Sequence, residues 1–293
     1  SVHKAISGIE SVMKNKLNIS ASIHQRLLNK AREKNRPFNE LVQYFAIERF
    51  LYRLSKSVHS DKFVLKGALM LRAWHSPEIR PTKDIDLLGK TSNEETNIIS
   101  QITEIIGTAV ESDGLVFDPT SIKSEQITED ADYEGIRIRF ISYLGNMRIN
   151  IQIDVGFGDV VHPEPDFIEI PVILDLPIPK IYGYSRESSI AEKFNAMVEL
   201  GELNSRMKDF YDIWLLSRQF KFDNAILAEA IRITFKTRKT EIPKEVEAFT
   251  EEFIKSKQVQ WTAFHKRLKN DQVPANFKEI VNRVKDFLAP VIT

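Results

Sequence analysis

The sequence contains no cysteine. That excludes a disulfide framework, a thiolate zinc site and a cysteine nucleophile, and it fits a reducing compartment. No apolar run approaches the ~20 residues that a membrane span needs. The opening residues, Ser1-Val2-His3-Lys4-Ala5, carry no signal-peptide core. There is no internal repeat and no low-complexity tract. The expectation is a soluble cytoplasmic protein with no membrane partner. At 293 residues it should hold about two domains, or one with large additions. An excess of one charge is missing too, with 41 Lys and Arg against 41 Asp and Glu.

The charge is unevenly spread. Residues 1–60 carry 11 basic against 4 acidic side chains, residues 61–200 carry 13 against 24, and residues 201–293 carry 17 against 13. An acidic centre between basic ends suits a metal-binding core whose arms meet a polyanion. A helical surface rich in Lys and Arg for solubility would give the same balance.

Hydrophobic spacing divides the chain into three parts. Residues 1–18 form a weakly patterned lead. A helix then opens at Ile19-Ser20, with Ser20 or Ser22 as N-cap and Ile23, Leu27 and Leu28 as its apolar stripe. A second helix is expected over 39–54, with Leu41, Val42, Phe45, Leu51 and Leu54 inward. These 60 residues should form a helical cap on the strands beyond them. Short strands are expected at 63–66 and 84–89, separated by a polar turn containing Pro77 and Pro81. A helix comes next over 93–110, then a strand at 115–117. Ile136, Ile138 and Phe140 alternate with polar residues, as do Ile149, Ile151 and Ile153. Leu144-Gly145-Asn146 between them marks a hairpin. Residues 156–185, rich in proline, read as irregular β structure with a loop at 159–166. From Glu187 the pattern is helical, capped by Ser188 or Ser189, broken at Gly201 and interrupted at Pro243 and Pro274. The division is a helical N-terminal segment (1–60), a sheet domain (61–185) and a helical C-terminal domain (186–293).

The chemistry gathers around Phe63 to Leu88. In a strand, Asp84 and Asp86 point to one face while Ile85 and Leu87 turn to the other. Two adjacent carboxylates both stay ionised only with a cation between them, and Mg²⁺ suits such hard oxygen donors. A solvated strand edge carries the same pattern. Asp154 closes the second hairpin strand; beside Asp84 and Asp86 it would be a third acid. Three such acids can hold two Mg²⁺ ions roughly 4 Å apart, as in phosphoryl transfer. Gly67, after Lys66, could bring its backbone N–H close to a phosphate. Thr82, two residues before Asp84, could place its hydroxyl in the same cleft, where phosphorylation would block an incoming triphosphate. Lys193 is a candidate phosphate ligand. In Arg206-Met207-Lys208-Asp209-Phe210-Tyr211-Asp212, Lys208 and Asp212 are spaced to pair, and Asp209 could hold Lys193 or Arg206.

Four pieces stand in order: Lys66-Gly67, Asp84-Ile85-Asp86, Glu192-Lys193 and Arg206-x-Lys208-Asp209-x-x-Asp212. Together they resemble the AbiEii/AbiGii-type nucleotidyltransferase toxin family, within the polymerase-β-like nucleotidyltransferase superfamily. The resemblance implies an α+β fold, with a mixed sheet bearing the acids and a helical C-terminal half completing an NTP cleft. It makes Asp84, Asp86 and Asp154 metal ligands, Lys193 a nucleotide-phosphate ligand and Asp209 an essential acid. Lys66, Gly67, Thr82 and Arg206 join Lys193 as nucleotide-binding candidates. It also implies a cognate antitoxin as partner. Where the family often has Gly-Gly or Gly-Ser, this chain has Gly67-Ala68, and the interval from Gly67 to Asp84 is longer than in minimal nucleotidyltransferases.

The function expected is Mg²⁺-dependent transfer of NMP from an NTP to an acceptor hydroxyl. The acceptor expected is RNA, at the tRNA 3′ end, so that translation is blocked. Arg26, Lys30, Arg32, Lys34 and Arg36 form one basic stretch that could grip RNA, and Lys236, Arg238 and Lys239 another. The alternatives are transfer onto a protein hydroxyl, and a non-catalytic nucleotide- or partner-binding protein on the same fold.

Overall fold

The computed structural model describes residues 2–76, 82–129 and 133–292. The turn expected around Pro77 and Pro81 lies outside these residues. Two helices lead the chain, α1 (Val2–Glu33) and α2 (Phe38–Lys56). The first begins at Val2, well before Ser20, so Ser20 is not its cap. Instead the Ser20 hydroxyl donates to the carbonyl of Gly114 at 2.8 Å. Asn35 just beyond α1 has a positive φ of 48°, a conformation that Asn tolerates better than most residues.

The sheet holds seven strands among the described residues: β1 (Phe63–Lys66), β2 (Asp84–Gly89), β3 (Leu115–Glu129), β4 (Tyr133–Leu144), β5 (Met147–Phe157), β6 (Asp166–Glu169) and β7 (Lys180–Gly183). Their spatial order is β3-β4-β5-β2-β1-β7-β6. The pairs β2–β5 and β1–β7 are parallel and the others antiparallel, so the sheet is mixed. Gly145, at φ 58°, turns the β4–β5 hairpin between Leu144 and Met147. The strand expected at 115–117 runs on to Glu129, through a register shift between Asp118 and Lys123.

Alternation then decides the faces. Ile85, Leu87, Ile138, Phe140, Ile151 and Ile153 are buried on one face, in a core they share with Phe45 and Phe50 of α2. The short helix α3 spans Met70–Ala73, and Ile98 and Ile102 of α4 (Glu95–Ile106) join the same core. The N-terminal helices thus belong to the sheet's own core. A bidentate pair from Arg53 to Asp113, at 2.6 and 3.1 Å, ties α2 to the approach of β3.

The C-terminal helices are α5 (Arg186–Leu200), α6 (Met207–Gln219), α7 (Asn224–Thr237), α8 (Glu251–Leu268) and α9 (Phe277–Leu288). Ser185, rather than Ser188 or Ser189, caps α5 by accepting the Ser188 N–H. The Ser188 hydroxyl is already committed to the backbone of His162. Phe194, Phe210, Trp214, Trp261 and Phe277 centre a second core. Helix α3 joins the two, because Leu71 is buried in the helical core while Met70 is buried in the sheet core.

Candidate active site

Register places the site. Lys66 pairs with Asp86 across β1–β2, Asp86 with Asp154 across β2–β5, Asp154 with Arg137 across β5–β4, and Arg137 with Glu125 across β4–β3. Directly opposed residues share a face, so five charged side chains form one row across five strands. Asp154 therefore sits beside Asp86. Arg137 grips it with two bonds, Nε to Oδ1 and Nη2 to Oδ2, both 2.7 Å. That pairing, and the field of Asp154 behind it, holds the Arg137 guanidinium above its already high range despite the cost of burial. Glu125 lies 3.6 Å from the other terminal nitrogen.

Gly67 is fixed by this row. Its φ is +73°, and a Cβ there would collide with the Asp86 carboxylate. The close approach that demands glycine is made by Asp86.

A cavity of about 540 Å³ opens over the row, with Gly67, Asp86 and Asp154 on its sheet side and Lys193, Arg206 and Lys208 on its helical side. Lys193 Nζ is 3.1 Å from Asp212 and 3.5 Å from Asp209, and Arg206 Nε is 2.7 Å from Asp209. Asp209 thus reaches both cations from a fully buried position. Asp212 turns to Lys193 rather than to Lys208, which stays exposed at the cavity wall.

Lys66 is held below. Its Nζ lies 3.3 Å from both Asp159 and Glu192, and Arg238 reaches the same two carboxylates at 3.1 and 3.7 Å. Burial works to raise Asp159, but Lys66 and Arg238 outweigh it and leave the acid below the ordinary carboxylate range. Burial pushes Glu192 up against the same cations. Arg238 is therefore a buried cavity residue and not part of an exposed basic patch.

Asp84 and Thr82 stand apart. Thr82 donates weakly to the Asp84 carbonyl, at 3.3 Å, and both line a neighbouring groove of about 1210 Å³ instead of the cavity above. Burial raises Asp84, the Asp154 charge adds to this, and Arg137, Lys208 and Lys83 oppose it.

The three acids offer the hard oxygens that Mg²⁺ takes. In the arrangement described, both oxygens of Asp154 are engaged by Arg137, and among the described residues no three His, Asp or Glu side chains converge to enclose an ion.

Sequence reasoning missed Arg137, Asp159 and Glu125, and gave Glu192 and Arg238 no role in the cavity. Arg137 was within reach: counting outward from the Gly145-Asn146 turn pairs it with Asp154. Asp159 had no such signal, because its partners lie 79 and 93 residues away.

The site thus combines a mixed sheet bearing acids with a helical wall opposite. Two solved structures from Helicobacter pylori share the fold. JHP933 has a TM-score of 0.50 at 12% identity, covering 86% of this chain and 91% of its own. A candidate nucleotidyltransferase has a TM-score of 0.51 at 12% identity, covering 86% and 94%. No curated protein matches the sequence. A model of the family described as nucleotidyl transferase AbiEii toxin, type IV toxin–antitoxin system, matches residues 49–283. The chain belongs to that family, and the family implies an antitoxin as partner. No described helix is long and apolar enough to cross a membrane.

Proposed function

We propose that this protein transfers NMP from an NTP to the 3′-hydroxyl of an RNA acceptor, with tRNA the expected acceptor, in the cytoplasm. The observation that carries the reading is the row Lys66–Asp86–Asp154–Arg137 facing Lys193 and Arg206 across one cavity. In the reaction the acceptor oxygen bonds to the α-phosphorus, the bond to pyrophosphate breaks, and the hydroxyl proton leaves to water. Such a transfer asks a protein mainly for positioning and charge neutralisation. Lys193 and Arg206, each steadied by Asp209, would take phosphate oxygens. Lys66, already bound to two carboxylates, would orient the floor of the site and leave the triphosphate to the other cations. Asp86 and Asp154 would hold Mg²⁺, joined by Asp84 from the same strand once its side chain turns from the neighbouring groove, and the ion supplies Lewis acidity at the phosphates. For Asp154 that requires Arg137 to turn away, and Glu125 stands beside it to receive the guanidinium.

The test offers each α-³²P-labelled NTP with Mg²⁺, total tRNA and cell extract to the protein and to the Asp84→Ala/Asp86→Ala variant. Label on tRNA is expected with the unaltered protein, falling at least about a hundredfold in the variant. Label on a protein band would transfer the reading to a protein acceptor. No label from folded protein would leave a nucleotide- or partner-binding role.

A further inference from the structure

A second cavity, of about 620 Å³, opens beside the first, and Arg206 and Lys208 line both. Its other polar walls are Ser205 and, from α8, Arg267 and Gln260, and its aromatic wall is Phe264. No acidic residue lines it among those described. Arg206 is already held by Asp209. Lys208 and Arg267 are exposed, and neither lies within ion-pair distance of a carboxylate among the described residues. Lys66, Lys193, Arg137 and Arg238 in the first cavity are all matched by acids, so these two cations are a local departure. Phe264 is half-buried, with its inner edge against Tyr211 and Trp261, at ring-centroid distances of 5.8 and 5.5 Å. The ring is thereby packed on its inner side while part of it stays accessible.

A fixed aromatic surface beside unmatched cations is the combination that binds one nucleotide of a single strand: the base stacks and the phosphate is neutralised. We propose that this second cavity seats a nucleotide, its base on Phe264 and its phosphate between Lys208 and Arg267. It would deliver that nucleotide's reactive end past Lys208 to the carboxylates. The inference rests on the transfer reading of the first cavity and adds a subsite to it. The same chemistry is offered by the terminal nucleotide of an RNA acceptor and by the base end of the incoming NTP.

Binding measurements separate these sources. Arg267→Gln changes an exposed side chain and should leave the fold intact. Phe264→Leu keeps apolar bulk without a stacking face. Each variant and the unaltered protein would be titrated with a fluorescein-labelled single-stranded RNA octamer by anisotropy, and with each NTP by equilibrium dialysis. At least one ligand is expected to bind about tenfold more weakly to Phe264→Leu. The same ligand should bind severalfold more weakly to Arg267→Gln, with a shallower salt dependence. Weakening confined to the octamer assigns the cavity to the acceptor, and weakening confined to NTP assigns it to the substrate base. Unchanged binding of both ligands in both variants would overturn the subsite and leave the transfer reading standing. Failure of the unaltered protein to bind either ligand would overturn both.

Discussion

The two walls of the cavity place their charges by different physics. On the sheet wall, position comes from strand register, and Asp86, Asp154 and Arg137 each belong to a different strand. The Arg137 side chain keeps 28% of its exposure. On the helical wall, position comes from burial: the Asp209 and Asp212 side chains are 0% and 2% exposed and clamp cations from beneath. Buried pairs cost several kcal/mol when one partner is removed, whereas partly solvated ones cost little. The partly solvated Arg137 of the sheet wall should therefore tolerate substitution with little loss of stability, while the helical wall couples activity to folding.

The strongest way to break that contrast is Asp209→Ala. It removes the buried carboxylate that Lys193 and Arg206 share, leaves Lys193 to Asp212 alone of the two acids, and about 3–5 kcal/mol of stability should go with the activity. Urea denaturation midpoints measure this, and a loss below about 1 kcal/mol would erase the distinction between the walls. Gly67→Ala comes next. Its positive φ and its contact with Asp86 should cost about 2 kcal/mol or more and displace the carboxylate. Arg137→Gln sharpens the picture from the sheet side. Stability should fall by only about 1 kcal/mol, because the guanidinium is partly solvated. Mn²⁺, monitored by water proton relaxation, should bind more tightly once both oxygens of Asp154 are released. Unchanged affinity would remove Asp154 from the metal ligands.

A separate effect, on pH dependence, is expected far from either wall. Glu48 is fully buried beside Arg49, and burial pushes its pKa up to about 8. Between about pH 4.5 and 8 the folded state holds a proton that the unfolded chain has lost. Stability should therefore decline as pH rises through that window. Glu48→Gln should flatten the decline, as read from thermal midpoints at about pH 5 and about pH 8.

Much of the sheet wall was legible because period two and a two-residue turn leave little freedom. Strands 63–66 and 84–89 have the bounds read from the pattern, and the hairpin carries Asp154 to Asp86 once β5 lies beside β2. Local spacing also exposed the Asp209 contacts, since Arg206 lies one turn before it. What sequence hid is non-local. Asp159 and Glu192 meet Lys66 across 93 and 126 residues, and no periodicity encodes such a meeting. Arg238 sits in a basic run, yet its side chain is 5% exposed, because the end of α7 turns it inward to Asp159. Thr82 was expected to share the cleft with Asp84 by alternation, but the strand begins at Asp84, so the rule does not extend to it. The start of α1 escaped because Gly8, Asn15 and Asn18 blur the pattern of its first half.

The five-strand row has one further consequence. Since each member comes from a different strand, a slip of β2, β4 or β5 by one residue turns Asp86, Arg137 or Asp154 to the apolar side of the sheet and brings an aliphatic side chain outward in its place. Such a chain would lose its core and its chemistry in the same step. Correct packing of the sheet and a complete row of charges are therefore kept or lost together.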